Sequence, residues 1–130
     1  MEKGIEQIFV EKMKEGNLSP DLLWAGFKKG PDGLVTAVAQ DYATREVLML
    51  GFSDREAVEK TLETKTAWFW SRSRKTLWNK GETSGNFLHV EKVLVDCDAD
   101  TLLLLCRPDG PTCHTGNQSC FFTTVADFGK

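Results

Sequence analysis

Asp96, Cys97, Asp98, Ala99 and Asp100 form the sharpest chemical pattern in the chain. In an extended strand side chains alternate faces, which puts the three aspartates on one face and Cys97 on the other. Carboxylates within ~7 Å of their neighbours repel one another unless a cation lies between them, and an all-oxygen donor set suits a hard cation such as Mg²⁺. A solvated acidic turn is the alternative. A calcium EF-hand loop fails, because it needs Gly at its sixth position and Glu at its twelfth, where this chain has Thr101 and Arg107.

The second pattern is Cys113-His114-Thr115-Gly116-Asn117-Gln118-Ser119-Cys120. Its two cysteines stand further apart than the Cys-x₂₋₄-Cys knuckle of structural zinc modules. With Cys97 they offer three soft thiolates, a donor set for Zn²⁺ that leaves one position open. An open position is where a catalytic zinc lowers the pKa of a water toward neutrality. His114 adjoins a ligand and is placed to act as general base on such a water, or else only braces the site or faces solvent. The fourth cysteine, Cys106, ends the apolar run Leu102 to Leu105 and reads as a small buried hydrophobe.

A third pattern is basic. Ser71-Arg72-Ser73-Arg74-Lys75 precedes Trp78-Asn79-Lys80-Gly81-Glu82-Thr83-Ser84-Gly85. Arginines and lysines among Ser, Thr and Gly suit a phosphorylated ligand, held by charge-assisted bonds and backbone N–H groups. Arg72 and Arg74 share a face if the preceding strand continues; a plain basic β-turn is the alternative. His89-Val90-Glu91 matches the H-x-E half of the zinc deaminase pattern, but the P-C-x-x-C half is missing, since Pro111-Thr112-Cys113 leads to Cys120 only after six residues.

These groups need a scaffold. The 130 residues suit a single domain, and 41% hydrophobic with 27% charged residues is ordinary for a globular protein. Sixteen Lys and Arg against 19 Asp and Glu give a net charge of −3, which argues against a nucleic-acid binder. The longest apolar run, Leu102 to Cys106, is too short to span a bilayer. Charges run through MEKGIEQIFVEKMKEG, where a signal peptide needs an apolar core, so a cytoplasmic protein is expected. All four cysteines fall in the last 34 residues, and in a reducing compartment that clustering points to metal or catalysis.

Ile5, Ile8, Phe9 and Met13 predict a helix stopping near Gly16. Strands are expected over 34–40, 47–52, 66–71, 87–95, 101–107 and 120–125, with 22–27 a strand or the approach to one and turns at 30–33, 41–46 and 108–111. Ser53 and Glu56 suggest a capping box opening a helix to about Thr64, with Ala57, Val58 and Leu62 inward. The expected class is α+β, mainly β, built from short mixed strands with one or two helices.

Taken together, DGLVTAVAQD (32–41), EVLMLGF (46–52), SRSRKTLWNKGETSG (71–85), DCDADTLLL (96–104) and CHTGNQSCF (113–121) closely resemble phosphoribosyl-AMP cyclohydrolase, a family of histidine biosynthesis. The resemblance covers about residues 20–122 of a single domain over 1–130. It implies that zinc-activated water adds to C6 of an N1-phosphoribosylated adenine and that the N1–C6 bond breaks, opening the purine ring. It further implies Cys97, Cys113 and Cys120 as zinc ligands, Asp96, Asp98 and Asp100 as magnesium ligands, and His114 as the proton-transfer residue. Arg72, Arg74 and Lys80 become phosphate-contact candidates, with Glu82, Thr83 and Ser84 in the same substrate pocket. The family also implies an intertwined homodimer with its zinc shared between subunits: Cys97 of one, Cys113 and Cys120 of the other. Arg45 stands where the family often has Gly, Gly51-Phe52 where Ala-Tyr is common, Thr36 where Pro is usual and Thr112 where Ala is frequent; none of these removes an implied ligand. A zinc-dependent deaminase and a non-catalytic zinc-stabilised binding module are the competing readings.

Overall fold

The computed structural model describes residues 19–129. The helix expected from Ile5 to Gly16 lies outside the described residues. The rest forms α1 (Pro20–Gly26), β1 (Val35–Asp41), β2 (Val47–Ser53), α2 (Arg55–Thr64), β3 (Trp68–Ser71), β4 (Thr76–Asn79), β5 (Leu88–Val95) and β6 (Thr101–Pro108). This is the expected α+β, mainly β, class.

Alternation drives the main sheet. Along β1, Val35, Ala37, Ala39 and Asp41 are buried and the residues between them only half so. β1 pairs antiparallel with β2 and parallel with β6, and β6 pairs antiparallel with β5, giving a mixed sheet of order β2-β1-β6-β5. β3 and β4 form a separate hairpin. It joins the core through Phe69, fully buried with its ring centroid 5.3 Å from that of Trp78. Phe69 lies so close to β2 that a Cβ on Gly51 would sit 2.6 Å from its ring. No described helix is long and apolar enough to cross a membrane.

Several local expectations change. Residues 22–27 were expected as a strand or the approach to one, yet 22–26 belong to α1: Pro20 suits a first helical turn, and Leu23 and, just past the helix, Phe27 both enter the core. The cap of α2 is Asp54, whose carboxylate accepts from the Ala57 N–H at 2.8 Å, while Ser53 remains buried in β2. β4 was not expected, since only Leu77 and Trp78 of its four residues are apolar. Residues 120–125 form no strand: Phe121, Phe122 and Val125 have β-prone side chains but no ladder partner among the described residues, and all three are exposed.

Candidate active site

The segment after β6 folds back on itself. The Thr112 and Cys113 N–H groups donate to the carbonyls of Gln118 and Asn117, both at 3.1 Å, and Gly116 closes the turn at a φ of 92°. Its far end is stitched to β2: the Ser119 hydroxyl donates to the Val47 carbonyl at 2.6 Å and the Cys120 N–H to the Leu48 carbonyl at 2.8 Å. The Cys113 and Cys120 side chains are thereby brought into hydrogen-bonding contact. A hydrogen bond from the Thr115 hydroxyl, 3.1 Å from the sulfur, chiefly holds the Cys113 thiol below its ordinary pKa. Burial, then the neighbouring Cys113, push Cys120 the other way. Two adjoining soft donors, one already favouring its thiolate, fit a zinc ion's donor set. Thr115 went unrecognised in the sequence; its place two residues after a cysteine is a weak signal.

A cleft of about 370 Å³ opens beside this loop. Arg74, Lys80, Glu82, Thr83 and Ser84 line it from the β3–β4 turn and the segment after β4, and Cys113 and His114 from the opposite wall. The Asn86 side-chain amide ties the walls together by donating to the Pro111 carbonyl at 3.3 Å. Gly81 adopts a φ of 104°, and a Cβ there would lie 2.6 Å from the Phe87 backbone, so glycine is needed for this wall.

Arg72 does not share a face with Arg74. The strand ends at Ser71, so the alternation stops one residue too early. Arg72 turns away, its guanidinium 3.8 Å from the centroid of the Phe52 ring, and lines a second cleft together with Asp100.

The aspartates converge for a different reason from the one expected. Residues 96–100 are not extended; they make the turn between β5 and β6, with Ala99 at a φ of 58°. Carboxylate oxygens of Asp96, Asp98 and Asp100 all lie within 4.8 Å of one another, the only such group of three ligand side chains among the described residues. Burial works to raise the Asp96 carboxyl, but N–H bonds from Asp100 and Thr101, at 3.0 and 3.2 Å, and hydrogen bonds with its carboxyl neighbours hold it below the usual range. Asp98 is raised, first by its hydrogen bond with Asp96 and then by the charges of Asp100 and Asp96. Crowded, exposed carboxylates of this kind fit a hard divalent cation.

Cys97 sits in that same turn, exposed and remote from the other two thiols. Thr101 opens β6 level with Thr36 and Phe52, whereas Cys120 is bonded to β2 beside Val47, level with Gln40 and Leu105. Two strands across and four residues along the sheet amount to a separation on the order of 15 Å. One chain therefore does not assemble the three cysteines.

His89 pairs through Nε2 with both carboxylate oxygens of Asp109 at 2.9 Å, and Glu91 pairs with Arg107. Neither His89 nor Glu91 lines the thiol-bearing cleft, so the H-x-E match has no metal-site geometry. Cys106 is fully buried, as expected.

The family model for phosphoribosyl-AMP cyclohydrolase matches residues 49–122. A phosphoribosyl-AMP cyclohydrolase of Clostridium botulinum (strain ATCC 19397 / Type A) is 57% identical over 99 residues, covering 76% of this chain and 89% of the relative. One of Lacticaseibacillus casei (strain BL23) is 56% identical over 91 residues, 70% and 83% of the two chains. One of Clostridium beijerinckii is 45% identical over 120 residues, 92% and 94%. The thiol pair, the acidic turn and the basic cleft lie within the matched span, and the chain belongs to the phosphoribosyl-AMP cyclohydrolase family, a family of hydrolases.

Proposed function

We propose that this chain opens the purine ring of phosphoribosyl-AMP in the cytoplasm, as a homodimer that uses zinc and magnesium. The observation that carries this reading is the cleft in which Arg74 and Lys80 face Cys113 and His114. Cations for a phosphate and a histidine for proton transfer meet there beside a thiol pair.

Cys113 and Cys120, together with Cys97 of the partner subunit, would hold a zinc ion, whose Lewis acidity would make water nucleophilic near neutral pH. Asp96, Asp98 and Asp100 would hold a magnesium ion, whose charge would offset the crowded carboxylates. The remaining work falls to the protein's side chains. Arg74 and Lys80 hold a phosphate, with Thr83 and Ser84 as hydroxyl donors and Glu82 as an acceptor for a ribose hydroxyl. His114 takes a proton from the attacking water and delivers it to N1 as the N1–C6 bond breaks. For the neutral 6-imino form of the substrate the atoms balance: the water oxygen becomes the carbonyl of a carboxamide on C6, one hydrogen ends on the exocyclic nitrogen and the other on N1. No ammonia leaves.

The test is turnover of phosphoribosyl-AMP by metal-stripped protein resupplied with zinc, magnesium, both or neither, with ammonia assayed alongside. Ring opening that needs zinc, rises with magnesium and frees no ammonia is expected. His114→Ala should keep its zinc content and lose most turnover. Ammonia release would point to a deaminase, and folded, zinc-loaded but inert protein to a binding module.

A further inference from the structure

The second cleft, of about 480 Å³, meets the reading above only at Asp100, and its cations have no role there. Lys28, Lys29 and Arg72 line it against two carboxylates, Asp32 and Asp100, leaving it net positive. Both carboxylates are already engaged: Asp32 accepts from the Leu34 N–H at 3.2 Å and Asp100 from the Thr101 hydroxyl at 2.9 Å. No ion pair among the described residues joins the three cations to either carboxylate, and one positive charge is in excess. The Arg72 guanidinium carbon lies over the Phe52 ring, 3.8 Å from its centroid, and has no carboxylate partner among the described residues. The Lys28 backbone is fixed to the acidic turn by its N–H, which donates to the Ala99 carbonyl at 2.7 Å. Lys29 reaches the Phe27 carbonyl at 3.4 Å and the Trp24 ring at 4.9 Å, again without a carboxylate.

We infer that this cleft, through Lys28, Lys29 and Arg72, binds one of the two phosphates of the substrate, while Arg74 and Lys80 in the first cleft bind the other. The inference rests on the substrate reading above. A nucleotide carrying a phosphoribosyl group on N1 and another on N9 has its phosphates on opposite sides of the purine, so two separate cationic clefts match it better than one. A guanidinium stacked on an aromatic ring keeps its N–H edge free for phosphate oxygens, and paired lysines add point charge. The second cleft adjoins the turn that carries Cys97, and the first carries Cys113. A shared zinc site of the kind proposed above would set a second cleft of one subunit near a first cleft of the other.

Two measurements decide it. In steady-state kinetics the double variant Lys28→Ala/Lys29→Ala should raise KM for phosphoribosyl-AMP by about tenfold or more, with kcat falling much less. Lys92→Ala, exposed on β5 and outside both clefts, should leave KM in place. Separately, the unsubstituted protein titrated with inorganic phosphate should show saturable amide shifts at Lys28 to Gly30 and at Thr101, absent in the double variant. An active wild-type enzyme whose KM is unmoved by the double substitution overturns the inference and leaves the substrate reading standing, as do phosphate shifts confined to the first cleft. A wild-type protein that does not open phosphoribosyl-AMP overturns the substrate reading itself, and the phosphate titration then reports on the cleft alone.

Discussion

The Thr115 hydroxyl donates to the Cys113 sulfur across 3.1 Å, and is itself held by the Asn117 side-chain amide at 2.8 Å. This relay stabilises the thiolate, which sets the direction of a test. Thr115→Val removes the donor, so the Cys113 pKa should rise. In metal-free protein at neutral pH, alkylation of Cys113 by iodoacetamide should slow by about threefold or more, and its pH profile should move upward. Site-resolved mass spectrometry reads both; an unmoved profile assigns the lowered pKa to something other than Thr115.

The distance between Cys97 and the Cys113–Cys120 pair, combined with the proposed zinc shared across a homodimer, predicts complementation between subunits. Cys97→Ser and Cys113→Ser should each abolish turnover when purified alone. Unfolded and refolded together, they should recover about a quarter of wild-type activity, because half the dimers are mixed and each mixed dimer has one intact site. No recovery, with mixed dimers demonstrated by mass, would contradict a shared zinc.

Asp98 is raised by its carboxylate neighbours, so removing its charge relieves repulsion when no cation is bound. Asp98→Asn should melt no lower than wild type in EDTA, and should lose most of the rise in Tm that Mg²⁺ gives the wild type. Zinc stoichiometry should hold. A cation response equal to that of the wild type would remove Asp98 from the ligand set.

Burial, with a contribution from the charge of Asp41, pushes the Cys106 thiol from 9.0 up to about 12. The folded state then keeps a proton that the unfolded state gives up. The stabilisation is complete below pH 9 and is lost as pH rises through the folded pKa, with a slope of up to about 1.4 kcal/mol per pH unit between them. Urea unfolding from pH 8 to 11 should show this decline, and Cys106→Ala should flatten it.

Gly51 faces Phe69 closely enough that Gly51→Ala forces the ring to shift. A loss of about 1–3 kcal/mol by urea denaturation is expected. Combining it with Phe69→Leu should cost less than the sum of the single changes.

Much of this was readable in the chain. β1, β2, β5 and β6 announce themselves by apolar content and alternation, and the acidic turn, the thiol loop and the basic segment are each continuous in sequence. What stayed hidden depends on distant partners. Lys28 and Lys29 look like an ordinary approach to a turn until β1–β6 pairing sets them beside residue 99. The aspartates converge because Ala99 adopts a left-handed φ of 58°, which no alternation rule anticipates for alanine. Arg45 repeats the lesson: at a φ of 70° it occupies a conformation that explains the family's glycine there. The absent strand after Cys120 shows the converse, that β-prone residues need an available edge.

The parallel pairing at the centre of the main sheet also governs how the protein comes into being. From Thr36 to Asp41, each β1 residue lies beside a β6 residue 65 positions later, as in Thr36 with Thr101 and Asp41 with Cys106. The β1–β2 and β5–β6 hairpins can form locally as they emerge from the ribosome, but β1 waits for its inner neighbour through several seconds of synthesis, at about 5–20 residues per second. During that interval the inner edge of the β1–β2 hairpin is uncovered. Nascent chains stalled shortly before β6 should therefore engage chaperones more than chains stalled just past it, and the proposed zinc site, which needs Cys113 and Cys120, could form only on the nearly finished chain.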